Sequence, residues 1–427
     1  MTRQLVVVAA YDSQMKWAVG LAKEFATAGW NWSVLVPADL RHALSPDQLS
    51  AAGVDGYRAL MWDDLLAACR EADCVILSLQ GPLVERFTDD LALLQRRQPR
   101  SQGEPVVVTG WVGIIIEKVV AGYLDRARSD VIAVNSADNL REFENAGRRL
   151  EIPPDNLLLS GLPLLPPQAA PRRTGPIKTV LLADQPTIPH NGWDRTYLYQ
   201  RYFDYALAHP DRRVLLKPRH RPGESTFHRA ELHPEEAIKL LPPAPPNFEI
   251  TYEPITDLLS SIDLMLTISS TAALESIGAG VRTAFIGDFG VHEKYGNHVL
   301  MESGLIASFN DLIADRIPEP DPSWMSDMFV SYNDLSPAQR ILQRVTELLE
   351  LAPSDRPSAI TSSHRYLANR LAIYEVRQQM PAVTRQPIGS GTNYKPWSEE
   401  VRRRLGYLGM ALLPGVVHRR LRETFRR

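Results

Sequence analysis

The chain has 427 residues, too many for one ordinary domain, so two or three are expected. Hydrophobic residues make up 44 % and charged residues 23 %, the balance of a globular protein with a core of normal size. A formal net charge of −3 leaves no global field that would favour nucleic acid or a membrane surface. Cys69 and Cys74 form a lone pair with no second half for a zinc site, and two cysteines make no disulfide framework. Both are expected to be reduced core residues in the cytoplasm. The apolar run Leu5–Ala10 is one strand long and lacks a cleavage pattern, and no stretch reaches the ~20 apolar residues of a membrane span.

Taken in chain order, Leu5–Ala10 reads as a buried parallel strand, continuously apolar and rich in β-branched residues. Ser13–Ala28 has helical periodicity and runs into Gly29, a fitting helix terminator. Trp32–Val36 is the next strand. A helix over Leu65–Glu71 leads into the strand Cys74–Leu79. Another helix near Asp89–Arg97 precedes Val106–Thr109, and the strand Val131–Asn135 is followed by the helix Ser136–Arg149. Strands alternating with helices at this spacing predict βαβ units in a Rossmann-like sheet. The proline-rich segment Pro163–Pro176 has no apolar period and reads as a linker. The pattern then restarts with the strand Thr179–Ala183, the helix Tyr197–Ala208 and the strand Val214–Lys217. The strand Leu264–Ile268, the helix Thr271–Ala279 and the strand Thr283–Ile286 complete it. The expected organisation is α/β, with one Rossmann-like domain over residues 1–165 and another over 176–350. Helices and a basic tail over 355–427 follow, among them a helix Ser362–Met380 returning to the first domain.

Three segments of the second half carry charged or hydroxyl groups at the carboxyl ends of predicted strands, where open α/β sheets bind ligands. In Leu215-Leu-Lys-Pro-Arg-His-Arg-Pro-Gly-Glu224, a strand delivers Lys217, Arg219, His220 and Arg221 onto a turn stiffened by Pro218 and Pro222. Guanidinium groups suit a phosphate through paired hydrogen bonds, and a histidine there can protonate a leaving phosphate or hold its charge. A solvated basic loop is the plainer alternative. In Leu266-Thr-Ile-Ser-Ser-Thr-Ala-Ala-Leu-Glu275, Ser269, Ser270 and Thr271 stand where a strand passes into a helix, a setting for an anion or simply for a helix cap. Glu275 either reaches a ribose hydroxyl or closes a cap. In Leu181-Leu-Ala-Asp-Gln-Pro-Thr-Ile-Pro189, Asp184 and Gln185 leave the first strand of the second half toward a cleft. A catalytic role for Asp184 competes with a turn-forming one. His228 and His233 trail the basic loop and read as surface histidines.

The His220 loop followed by the Ser269–Ser270 segment resembles the paired His-Pro and Ser-Ser/Thr motifs of bacterial sialyltransferases. The Asp-Gln-Pro segment ahead of a Lys-Pro-x-His loop is similar to that of bacterial Kdo transferases of capsule assembly. Both are GT-B glycosyltransferases using CMP-activated ulosonic acids. The chain also resembles, over nearly its full length, a family of actinobacterial glycosyltransferases. The shared pieces are Lys-Pro-Arg-His-Arg-Pro-Gly-Glu, Ser-Ser-Thr-Ala-Ala-Leu-Glu and Asp288-Phe-Gly-Val291. The resemblance implies that His220 contacts the CMP phosphate and assists its departure. It implies that Ser269 and Ser270 hold the phosphate or the donor carboxylate. Two departures stand out: Arg221, not proline, follows the histidine, and the acidic motif that supplies the base in sialyltransferases has no counterpart.

An inverting transfer still needs a group to deprotonate the acceptor hydroxyl. Asp12, just after the first strand, is the first candidate and Glu117, after Trp111-Val-Gly113, the second; either can also be a carboxylate favoured by a helix dipole. Neither a cofactor nor a metal is expected, since the basic loop can neutralise the leaving group. The stretch Glu399–Arg427 has eight arginines against three glutamates flanking an apolar middle. It reads as an interfacial anchor at the inner face of the cell membrane, a docked helix or a basic tail. The activity expected is transfer of an ulosonic acid from a CMP donor to a cell-envelope glycan, lipid-linked or free. The alternatives are a polyol-phosphate transferase using CDP-glycerol or CDP-ribitol, and a non-catalytic GT-B-like binding protein.

Overall fold

The computed structural model describes residues 2–43, 49–50, 52–54, 56–100, 103–116, 118–163, 165–166, 168–222, 232–330 and 335–380. Its first sheet is built from β1 (Gln4–Ala9), β2 (Asn31–Pro37), β3 (Arg58–Leu60), β4 (Cys74–Ser78), β5 (Val106–Gly110), β6 (Val131–Val134) and β7 (Leu157–Leu159). The strands lie in the order β3-β2-β1-β4-β5-β6-β7. The second sheet contains β8 (Thr179–Ala183), β9 (Arg213–Lys217), β10 (Phe248–Ile250), β11 (Leu264–Thr267), β12 (Arg282–Ile286) and β13 (Ile306–Ala307), in the order β10-β9-β8-β11-β12-β13. All these pairings are parallel. In each sheet the chain winds outward from its first strand, then crosses to the other side. The strand order therefore reverses between β1 and β4 and again between β8 and β11, the carboxyl ends at which open α/β sheets place their crevices.

Both sheets belong to one compact unit, Met1–Ala372, and a second unit begins at Ile373. The central strands are buried on both faces, as their unbroken Val, Ile and Leu runs require. The helix Asp12–Thr27 lays Met15, Trp17, Val19, Leu21 and Phe25 on the first sheet and ends before Gly29 at φ +84°, a conformation glycine adopts without a steric penalty. The helix Gly192–Ala208 does the equivalent for the second sheet through Leu198, Tyr199, Tyr202, Phe203 and Tyr205. It starts five residues before the predicted Tyr197, because Asn191 caps it by accepting the Asp194 N–H at 2.8 Å.

Two expectations change. The segment Pro163–Pro176 is laid against the second half. Ala170 and Arg173 donate backbone N–H groups to Gly278 and Gly280, both at 2.8 Å, and Leu165 is buried beside Leu274 and Ile277. The return to the first sheet also comes before Ser362. A capping box of Ser336 and Gln339 starts the helix Pro337–Glu350, whose Ile341, Val345 and Leu348 enter the core of β1, β5 and β6. Each such side chain contributes about 1.5–3 kcal/mol by burial. The helix Arg365–Gln379 follows, with Leu367 packed on Ala127 and Ile152. The expected basic tail, Glu399–Arg427, lies outside the described residues, as does His228. Among the described residues, no helix is long and apolar enough to cross a membrane. Cys69 and Cys74 are buried free thiols.

Candidate functional site

The first crevice is formed where β1 and β4 end. Gln14 ties it together: its side-chain oxygen accepts the Ala10 N–H at 3.1 Å, and its carbonyl accepts the Ser78 hydroxyl at 2.9 Å. Asp12 opens the following helix with its side chain a quarter exposed and its carboxylate 3.3 Å from the Lys16 ammonium. A carboxylate so placed can accept a proton from a group entering the crevice. Glu117, the other carboxylate proposed as base, lies outside the described residues. The loop before it is fixed by Asn135, which donates to the carbonyls of Trp111 at 3.2 Å and Gly113 at 2.8 Å.

The second crevice, between β8 and β11, is closed by its own side chains. Gln185 spans it, accepting the Ser269 N–H at 2.9 Å and donating to the Ser269 hydroxyl at 3.2 Å. The Ser269 hydroxyl in turn donates to the Tyr295 carbonyl at 2.5 Å. Its single proton is thus engaged within the protein. Ser270 accepts the Ala272 N–H at 3.3 Å, and no described residue accepts its own hydroxyl proton. Asp184 does not face the cleft, contrary to expectation. Its carboxylate is buried, and Arg195 donates to both oxygens at 3.1 and 2.9 Å while the Tyr199 hydroxyl donates at 2.8 Å. Arg195 is itself fully buried and donates to the carbonyls of Gln185, Pro186 and Pro189. The pair therefore holds the whole Asp184–Pro189 turn.

The basic loop begins at the end of β9. Lys217 is half-buried, and no carboxylate pairs with it among the described residues. Burial lowers its pKa, and the nearby Lys16 lowers it further. Arg219 is exposed, while Arg221 lies over the Tyr252 ring at 4.5 Å. The rings of His220 and His233 meet edge to face, with centroids 5.4 Å apart. His233 is buried, not at the surface as expected. Its Nδ1 accepts the Glu235 N–H at 3.2 Å, so its Nε2 carries the proton and donates to the His220 carbonyl at 3.1 Å. That bond fixes the backbone from which the His220 ring projects.

The carboxyl ends of the two sheets meet. A Cβ on Gly113 would stand 2.7 Å from the Thr271 hydroxyl oxygen, and one on Gly296 would stand 2.8 Å from the Ile116 side chain. A side chain at either position would have to displace its neighbour, and Gly296 also stands at φ +68°. Glu275, one turn into the helix after β11, is half-buried. Burial raises its pKa, and Lys16 on the opposite side works against the rise. Across the two halves, Gly113 faces Thr271, and the charge of Lys16, which pairs with Asp12, acts on Lys217 and Glu275. Lys16 was not singled out from the sequence, although its place four residues after Asp12 was a readable signal. Arg195 and Tyr199 were missed because their partner, Asp184, is specified only by the tertiary fold.

The family model described as "Putative glycosyltransferase (DUF6716)" matches residues 5–348. Among solved structures, the putative UDP-N-acetylglucosamine 2-epimerase from Listeria monocytogenes is 13 % identical at a TM-score of 0.52, the match covering 84 % of this chain and 98 % of that one. The S. aureus MnaA–UDP co-structure is 11 % identical at a TM-score of 0.54, covering 82 % of this chain and 98 % of that one. At these identities the likeness concerns the fold, and it bears out the expected pair of Rossmann-like sheets of GT-B type. No curated protein matches the chain in sequence.

Proposed function

We infer that this chain, which belongs to the DUF6716 glycosyltransferase family, transfers an ulosonic acid from a CMP-linked donor to a hydroxyl of a cell-envelope glycan. The observation that carries the donor half of this reading is Lys217, a half-buried ammonium at a strand end that no carboxylate neutralises among the described residues. Holding a charge partly out of water is unfavourable unless an opposite charge offsets it, and a donor phosphate is such a charge. The basic loop beside it supplies Arg219, His220 and Arg221. The donor class rests on the likeness of that loop and of Ser269–Ser270 to sialyltransferase motifs.

The transfer balances as follows. The bond between the anomeric carbon and the phosphate oxygen breaks, and a bond from the acceptor oxygen to that carbon forms. The acceptor proton passes to Asp12, whose quarter-exposed carboxylate suits a general base. The charge left on CMP is held by Lys217 and His220, so no step needs a metal.

The test is a thermal-unfolding titration with CMP, CDP, UDP and GDP on the wild type and on His220→Ala. A ligand at about 100 times its Kd stabilises the folded form by about 2.7 kcal/mol. The expected result is selective stabilisation by CMP that is lost in the variant. Selective stabilisation by UDP or GDP overturns the ulosonic acid donor, and indifference to all four overturns nucleotide-dependent transfer.

A further inference from the structure

We propose that the second half of the chain carries an anion site apart from the donor crevice, an arginine-lined cavity that takes the phosphate group of a small phosphorylated molecule. The cavity has a volume of about 380 Å³, within the range of about 300–1,000 Å³ typical of small-ligand pockets. It is walled by Arg172 and Gly175 of the proline-rich segment, Ile177 just before β8, Arg282 at the start of β12, and Asp315. It therefore lies at the amino ends of those parallel strands, the edge of the sheet opposite Lys217 and Thr271. The wall is fixed, because the Arg173 N–H donates to the Gly280 carbonyl and the Arg173 guanidinium to the Leu259 carbonyl, both at 2.8 Å.

Arg282 gives the cavity its chemistry. Its Nε donates to the Asp263 carbonyl at 3.2 Å, while its Nη2 is buried with no acceptor among the described residues. The neighbouring carboxylates are engaged elsewhere. Asp263 accepts the N–H groups of Lys178 and Thr179 at 2.8 and 3.0 Å, and Arg212 donates to the two oxygens of Asp315 at 3.0 and 2.7 Å. A buried charged donor without an acceptor is unfavourable, and a phosphate oxygen in the cavity supplies that acceptor. Arg172 donates to the Pro318 carbonyl at 2.6 Å and to Glu319 at 3.0 Å, but the Glu319 side chain is 82 % exposed. A pair with so exposed a partner contributes little, so Arg172 gives it up readily for a phosphate. The guanidinium groups lining the cavity thus outweigh its one carboxylate, which Arg212 already neutralises. Their planar forks match phosphate through paired hydrogen bonds.

Calorimetry on the full chain should compare glucose-6-phosphate, inorganic phosphate and glucose on the wild type, Arg282→Gln, Gly175→Leu and Lys217→Ala. A Cβ on Gly175 meets nothing within 4 Å, so a leucine there has room and occupies the space of the ligand. We expect the wild type to bind glucose-6-phosphate and not glucose. Arg282→Gln should weaken that binding by about tenfold to a hundredfold, the size of one hydrogen bond to a charged group, and Gly175→Leu should abolish it. Lys217→Ala should leave it unchanged. Inorganic phosphate fills less of the cavity and should bind more weakly; equal affinity overturns the assignment to a phosphorylated molecule. Wild-type affinity in both Arg282→Gln and Gly175→Leu overturns the site, as does a wild type that binds neither phosphate. A loss confined to Lys217→Ala also overturns it, because the phosphate then sits in the donor crevice.

Discussion

Asp12 and Asp184 hold the same topological place, each just beyond the first strand of its sheet, and the protein treats them in opposite ways. Asp12 opens a helix with its side chain a quarter exposed and a single cation 3.3 Å away. Asp184 is sealed under the helix Gly192–Ala208 by Arg195 and Tyr199. The difference arises one element later in the chain. The helix after β1 pairs Asp12 with an exposed Lys16, whereas the helix after β8 buries its arginine and tyrosine beneath the turn. The same residue type shortly after the first strand of each sheet is therefore part-exposed in one half and sealed in the other. What decides is which side chains the next helix turns inward.

The largest expected effect tests the sealed side. Arg195→Met leaves the Asp184 carboxylate buried without its cation, and removing one partner of a buried pair costs about 3–5 kcal/mol. Urea unfolding should show that loss directly. If the variant unfolds at the wild-type midpoint yet fails to transfer sugar, the contrast with Asp12 is broken and Asp184 acts in the chemistry. On the open side the pattern should invert. Asp12→Asn should lower the rate of transfer by about 100- to 10,000-fold, the usual contribution of a positioned general base. Its unfolding midpoint should move by no more than the few tenths of a kcal/mol of an exposed pair. A stability loss as large as that of Arg195→Met would mean that Asp12 too is structural.

Gln185→Ala sharpens the same comparison at a smaller scale. It strips the Ser269 N–H of its acceptor in a buried setting, and an unsatisfied buried donor costs about 1–3 kcal/mol. Beside Asp12 the crevice is tied by Gln14, one turn into the helix.

The sheets were legible because continuous apolar runs such as Leu5–Ala10 and Thr179–Ala183 have little choice but to be buried parallel strands. The edge strands β3, β7, β10 and β13 escaped, since two or three residues carry no period. The site was legible by class and less so by residue. Strand-end position picked out Lys217 and the Ser269–Thr271 segment. Whether a hydroxyl there is free or spent depends on Tyr295 and Gln185, 26 and 84 residues away along the chain. Local spacing carries no information about such partners. The same holds for His233, whose burial depends on its bond to the His220 carbonyl.

The smallest expected effect concerns pH, and its sign differs between stability and binding. Burial, aided by Lys16, holds the Lys217 pKa below the ordinary lysine value of 10.5. The folded protein therefore releases this proton at a lower pH than the unfolded chain does. Charged Lys217 weighs against folding below its lowered pKa, and that penalty is relieved as pH rises through it. Nucleotide binding runs the other way, because phosphate needs the ammonium. Affinity should hold at neutral pH and fall by about tenfold, one charged contact, as pH rises through the lowered pKa. The titration is calorimetric, with the nucleotide that the wild type binds. Lys217→Arg should push the fall to higher pH, since a guanidinium stays protonated. A fall that ignores this substitution would assign the pH dependence to a group other than Lys217 and remove the ammonium from the phosphate site.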